Sequence, residues 1–205
     1  MKAGRFLEYL FITWGDLERL VANLSLAVRK RGMEPDIIVG VSRGGLAPTR
    51  MLSDFLDIRD VIILGVAFYE EIGRAASRPV ITHPLGKGIR GRKVVLLDDV
   101  SDTGGSLAVA KEHLLSLGPS ELLVCTLHRK PWSTFDPDIF VEETDKWIIY
   151  PWEKGEAAAH ILGKAGGSDL DLLRVGFSEH DLRLLRSLGF LSSDSDSPRD
   201  ENHQA

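Results

Sequence analysis

Residues 94 to 106 read Val-Val-Leu-Leu-Asp-Asp-Val-Ser-Asp-Thr-Gly-Gly-Ser. An apolar run ends in two adjacent carboxylates, Asp98 and Asp99. A third acid follows at Asp102, and a loop of hydroxyl residues and glycines then opens a helical segment over Leu107 to Leu117. A strand that runs through a tight polar turn into a helix is the building unit of α/β folds. The chemistry is narrower still. Backbone N–H groups at a helix start take phosphate, yet three acids repel a bare phosphate. Carboxylates accept hydrogen bonds from sugar hydroxyls or hold a cation, so acids beside a phosphate cradle fit a sugar phosphate. Two glycines let the backbone approach the ligand closely. The plainer reading, an ordinary turn with polar residues, leaves three coincident acids unexplained.

The rest of the chain repeats the same alternation. Thr13-Trp14-Gly15-Asp16 fits a capping box, and Leu17, Leu20, Val21, Leu24 and Val28 recur at helical spacing until Lys30-Arg31-Gly32. Asp36 to Val41 reads as a strand, Ser42-Arg43-Gly44-Gly45 as a turn, Leu46 to Leu56 as a helix and Val61 to Phe68 as a strand. Residues 69 to 92 show no sustained period, hold several glycines and prolines, and read as a long loop with a short strand at Val80-Ile81. Further strands are expected at Leu122 to Leu127, Ile139 to Val141 and Trp147 to Tyr150. The expected fold is α/β: a mainly parallel sheet flanked by helices. In such sheets ligands bind beyond the carboxyl ends of the strands, where both Ser42 to Gly45 and Asp98 to Ser106 fall.

Composition excludes several classes. A net charge of −5 is not the footprint of a nucleic-acid binder. No apolar run reaches the ~18 residues of a membrane span, and Glu8 and Asp16 interrupt any signal-peptide core. The only cysteine, Cys125, sits inside an apolar run and reads as a small buried hydrophobe. These features point to a cytoplasmic protein. Scarce amides (Asn23, Asn202 and Gln204) among many charges hint at a thermophilic source. The six histidines show no ligand spacing. There is no Walker A loop. Gly86-Lys87-Gly88-Ile89-Arg90-Gly91 matches GxGxxG, but it precedes a strand instead of opening a helix, the reverse of a dinucleotide site.

Val94 to Ala110 resembles the phosphoribosyl-diphosphate (PRPP) signature of type I phosphoribosyltransferases, and the likeness extends over roughly residues 12 to 153. Val41-Ser42-Arg43-Gly44-Gly45-Leu46, Thr126 to Pro131, and Asp145 to Ile148 with Pro151-Trp152 resemble the xanthine-guanine branch. The resemblance implies the type I fold, with a domain over 1–154 and a small hood made from the N-terminal segment and about 129–150. It also implies a reaction: a purine nitrogen attacks C1 of PRPP, diphosphate leaves, and a nucleoside monophosphate forms. By the same resemblance Asp98 and Asp99 bind ribose hydroxyls, with Asp99 nearest a Mg2+ ion that neutralises the diphosphate. Asp102 is the catalytic residue beside the purine imidazole, accepting or relaying a proton. Thr103, Gly104, Gly105 and Ser106 hold the 5′-phosphate. Ser42, Arg43 and Gly44 bind the diphosphate, the Ser42–Arg43 peptide being a cis bond in many members. Arg74 contacts PRPP from the loop at 69–92, which is expected to close over the reacting centre. An ammonium donates and never accepts, so Lys130 favours a 6-oxo group over the 6-amino group of adenine. Trp147 stacks on the base, and the Ile148 carbonyl accepts from a 2-amino group. The plain alternatives are a surface arginine at 43, a solvated lysine at 130 and a core or interface tryptophan at 147. The resemblance also implies a homodimer or homotetramer.

The chain departs from the bacterial pattern after residue 154. Gly166-Gly167-Ser168 reads as a linker, Ser178 to Asp181 as the cap of a helix over Leu182, Leu185 and Leu188, and 192–205 as a disordered tail. A C-terminal helical appendage over 155–191 is expected. Some relatives of this family are PRPP-sensing regulators that bind nucleic acid. From 155 onward, however, five basic residues face nine acidic ones, the wrong sign for neutralising a phosphate backbone. The expected activity is therefore a purine salvage transferase using PRPP and a 6-oxopurine. An adenine enzyme and a PRPP sensor are the rival readings.

Overall fold

The computed structural model describes residues 8–69, 78–85, 88–164 and 167–191. Its contacts divide the chain into two units, one over residues 15–145 and one built from the N-terminal segment to 14 and the chain from 146 onward.

The larger unit is a six-stranded sheet. Its strands are β2 (Ile37–Ser42), β3 (Val61–Tyr69), β4 (Arg78–His83), β5 (Lys93–Ser101), β6 (Glu121–Arg129) and β7 (Ile139–Glu143), in the order β4-β3-β2-β5-β6-β7. Every neighbouring pair is parallel except β3 with β4. The helices are α1 (Trp14–Lys30), α2 (Leu46–Leu56) and α3 (Gly105–Ser116). Central strands buried on both faces must be apolar throughout, and Ile37 to Val41 and Val94 to Leu97 are so, Gly40 aside. Alternation sends Ile37, Val39, Val94 and Leu96 into one cluster with Leu107, Ala110 and Leu114 of α3. Gly40 is forced small: a Cβ there would lie 3.0 Å from Thr49 Cβ. Cys125 is buried in β6, and burial pushes its thiol well above its ordinary range, as befits a core residue.

The short strand expected at Val80-Ile81 is present and longer than expected: β4 runs for six residues, antiparallel to β3, at the sheet edge. Its Arg78, Pro79, Thr82 and His83 hide its ends from a search for apolar periods. Proline is tolerated there because an edge strand needs donors on one side only. Arg74, Gly86 and Lys87 lie outside the described residues, as does the tail from 192.

The smaller unit pairs β1 (Tyr9–Phe11) with β8 (Trp147–Ile149) in parallel. Helices α4 (Lys154–Ala159), α5 (Asp169–Val175) and α6 (Glu179–Ser187) follow, with one π-helical turn at His160–Lys164. The apolar core is Ile149, Ala157, Ala158, Ile161, Leu172, Phe177, Leu182 and Leu185, joined by Tyr9 and Phe11. The residues after 154 thus share one core with both short strands. Ser178 caps α6 as a capping box with Asp181. Ser168, read as part of a linker, makes the same box with Asp171 and starts α5.

Candidate active site

Strand order creates the site. From β2 the chain moves outward to β3 on one side, and from β5 outward to β6 on the other. The sheet therefore switches direction between β2 and β5, the crevice where ligands of open α/β sheets bind. Their register pairs Gly40 with Leu97, so the turn after Ser42 and the acids after Leu97 leave the sheet at the same edge. The Ser42–Arg43 peptide is cis. A Cβ on Gly44 would lie within 2.5 Å of the Asp99 Cγ, and one on Gly45 2.6 Å from the Leu97 and Val41 carbonyl oxygens. The β2 turn is thus pressed onto the acidic end of β5, and only glycine allows it. Arg43 is exposed beside it.

Asp98 and Asp99 are buried. The Asp99 amide donates to Asp98 Oδ1 at 3.0 Å, and the Val100 amide donates to Asp99 Oδ1 at 2.7 Å. Burial, then the charge of Asp99, raises the Asp98 carboxyl well above the carboxylate range; burial also raises Asp99. Two adjacent buried carboxylates at odds with their surroundings suit an incoming cation or hydroxyl donors. They fit magnesium, which uses one or two carboxylates and takes its other ligands from substrate and water. Among the described residues no group of three His, Cys, Asp or Glu side chains is arranged to hold a metal by itself.

Beyond them the chain turns through Asp102 and Thr103, both exposed, into α3. Gly104 sits at φ +89° and caps that helix without a side-chain bond. A Cβ there would lie 2.7 Å from the Phe135 backbone nitrogen, so conformation and space both demand glycine. Gly105 and Ser106 form the first turn, whose N–H groups lack intrahelical partners and carry the positive end of the helix dipole.

A second loop, residues 130 to 135, is zipped onto this one. The Lys130 amide donates to the Ser101 carbonyl at 3.0 Å, and the Thr134 amide and hydroxyl both reach the Thr103 carbonyl, at 3.2 and 2.8 Å. The Ser101 and Ser133 hydroxyls are 2.8 Å apart, and Ser101 Oγ donates to the Phe135 carbonyl at 3.0 Å. The parallel register of Ser101 with Arg129 makes this possible. Lys130 is buried. Burial lowers its ammonium below the ordinary lysine value, opposed by the charges of Asp102 and Asp145. Its Nζ lies 5.4 Å from the Trp132 ring centroid, and Trp132 Nε1 donates to Asp102 Oδ1 at 3.1 Å. Trp132 was not singled out by the sequence: 30 residues separate it from Asp102, and only strand register joins them.

In the smaller unit Trp147 is 45% exposed and stacks on His160, ring centroids 4.9 Å apart and planes 17° apart. Only alternate residues of a parallel strand bond a given neighbour. The Trp147 amide donates to the Glu8 carbonyl and the Ile12 amide to the Ile149 carbonyl, so the Ile148 carbonyl points away from β1.

Comparison with known proteins agrees with this geometry. A family model described as the phosphoribosyl transferase domain matches residues 13–159. The xanthine-guanine phosphoribosyltransferase of Nitratidesulfovibrio vulgaris is 30% identical over 153 residues, covering 74% of this chain and 88% of that protein. Xanthine phosphoribosyltransferase 1 of Saccharomyces cerevisiae is 25% identical, covering 79% of this chain and 98% of that protein. The crystal structure of a purine phosphoribosyltransferase from Pyrococcus horikoshii is similar at a TM-score of 0.65 and 39% identity, over 70% of this chain and 93% of that one. With the β2 turn, the acidic loop and the Lys130 loop all inside the matched span, the chain belongs to the phosphoribosyltransferase domain family.

Proposed function

We propose that this chain is a purine salvage enzyme that transfers phosphoribosyl from PRPP to a 6-oxopurine: guanine, hypoxanthine or xanthine. One observation carries the base class. A buried ammonium, Lys130, is tied by its own backbone to the loop that bears Asp102. A donor that cannot accept rewards a carbonyl at purine C6 and leaves an amino group there unpaired. The relatives are named for xanthine, guanine or purines, in line with this reading.

In the reaction an imidazole nitrogen of the base attacks C1 of the ribose. The bond from C1 to the diphosphate oxygen breaks, and its electron pair leaves with diphosphate. Asp102 takes the proton that the attacking nitrogen gives up, a contribution typically worth ~10²–10⁴-fold. Asp98 and Asp99 accept from the ribose hydroxyls, and their negative field favours positive charge developing on the sugar. Asp99 would hold a magnesium ion, which would supply neutralisation of the leaving diphosphate. The N–H groups and hydroxyls of Thr103 to Ser106 seat the 5′-phosphate, while Ser42, Arg43 and Gly44 face the diphosphate. Trp147 stacks on the base, and the outward Ile148 carbonyl accepts from a 2-amino group.

The test is turnover of guanine, hypoxanthine, xanthine and adenine with PRPP and Mg2+, read as diphosphate release. Oxopurines are expected to be the substrates. A preference for adenine refutes the assignment of Lys130. No release with any base refutes the enzymatic reading.

A further inference from the structure

We infer that Trp132 is a positioning residue that couples base recognition to proton acceptance. The inference rests on the roles proposed above for Asp102 and Lys130. The edge of the indole donates to Asp102 Oδ1 at 3.1 Å, and its face lies under the Lys130 ammonium, 5.4 Å from Nζ to the ring centroid. One rigid ring therefore touches both groups on which the chemistry of the base depends.

The physical need is clear at Asp102. This carboxylate is exposed on a turn, where an untethered side chain samples several rotamers. A single N–H bond to Oδ1 fixes the plane of the carboxylate and leaves Oδ2 as the oxygen that meets the imidazole proton. Trp132 itself is 53% exposed, so its polar tip and its ring are not explained by core packing. Its position is set by the zipper between residues 130–135 and 101–103, not by its own burial. The ring face, electron-rich, attracts the ammonium above it and limits where Nζ can go.

Two substitutions separate the edge from the face. Trp132→Phe removes the N–H and keeps a ring; Trp132→Leu removes both. Each is made in the full chain, together with Asp102→Asn and the double variant Trp132→Phe/Asp102→Asn. Single-turnover rates with saturating PRPP and Mg2+ are measured, together with the guanine concentration giving half the maximal rate and the thermal midpoint. Trp132→Phe is expected to lower the rate about tenfold, as for loss of a hydrogen bond to a charged group. It is also expected to leave half-saturation within about twofold. Trp132→Leu adds a rise in half-saturation of about two- to fivefold from the lost ring face. In the Asp102→Asn background, Trp132→Phe adds nothing, because the two residues act as one unit. Unchanged thermal midpoints go with these results.

If Asp102→Asn slows the reaction at least about a hundredfold while Trp132→Phe leaves the rate as it was, the coupling by Trp132 is wrong and the role of Asp102 stands. An Asp102→Asn variant with the parent rate overturns the role of Asp102 and this inference with it. Additive losses in the double variant also overturn the coupling.

Discussion

Asp99→Asn is expected to make the metal-free protein more stable and the enzyme nearly inactive. Burial pushes the Asp99 carboxyl up to about 6, against about 3.9 for an aspartate in an unfolded chain. A shift of roughly two units at about 1.4 kcal/mol each sets a ceiling of about 3 kcal/mol for the cost of ionising this group at neutral pH. The value is raised in the folded state, so the stability this group contributes is intact below about pH 4 and lost as pH rises through about 6. Asparagine is never charged and is nearly isosteric. Its oxygen still accepts from the Val100 amide, which now reaches Asp99 Oδ1 at 2.7 Å, and its NH2 group donates toward Asp98. The repulsion that helps to hold Asp98 above its ordinary range disappears as well. Urea denaturation in EDTA at pH 4 and pH 7.5 measures the difference between variant and parent. It should be close to zero at pH 4 and about 1–3 kcal/mol in favour of the variant at pH 7.5. Turnover with Mg2+ should fall at least about a hundredfold, since a ribose and metal ligand is gone. Equal stabilities at pH 7.5, or a difference that does not change with pH, would refute the claim that this site stores an unfavourable charge for its ligand.

Three further expectations follow from the geometry. Gly104→Ala meets both a left-handed backbone and the Phe135 nitrogen at 2.7 Å. It should lose about 2–4 kcal/mol in urea and raise KM for PRPP, because the phosphate turn has to move. Lys130→Met keeps length and loses the donor. It should raise KM for guanine about tenfold or more while adenine turnover does not fall, measured with both bases side by side. Asp181→Ala removes an acceptor that bonds Lys154 at 2.7 Å and the Ser178 amide and hydroxyl at 2.9 and 2.7 Å. Burial raises this carboxyl, but the ammonium and the cap donors outweigh burial and hold it below the usual range. The variant should therefore lose about 1–3 kcal/mol at pH 7, a gap that closes as pH falls below about 4, seen by thermal melts across pH.

What could be read from the sequence was what local chemistry determines. The strand-turn-helix at 94–117 was legible because apolar residues, acids and glycines change over within a dozen positions. The turn at 42–45 was legible for the same reason. Strand β4 was legible only at Val80-Ile81, since the polar residues and the proline on either side of that pair show no apolar period. Strand β1 is three residues long, too short for any period to register, and its partner lies at the other end of the chain. Ser168 reads as linker because two glycines precede it, although its acid three residues on is the mark of a cap. Trp132 was beyond reach altogether. Its importance depends on β5 and β6 being parallel with Ser101 opposite Arg129.

That register explains why three stretches distant in sequence serve one reaction. A parallel sheet sends the carboxyl ends of all its strands to one edge, so whatever follows β2, β5 and β6 emerges together. After β2 come a cis peptide and two glycines, after β5 two carboxylates and a helix start, after β6 an ammonium and an indole. A one-residue slip of β6 against β5 would turn its side chains to the opposite face. The buried run from Leu123 to Leu127 forbids the slip. The core that holds the strands in register is thus also what sets Lys130 beside Asp102. Mutations that loosen β6 packing are for that reason expected to disturb base selection before they disturb phosphate binding, whose donors lie within the single unit of β5 and α3.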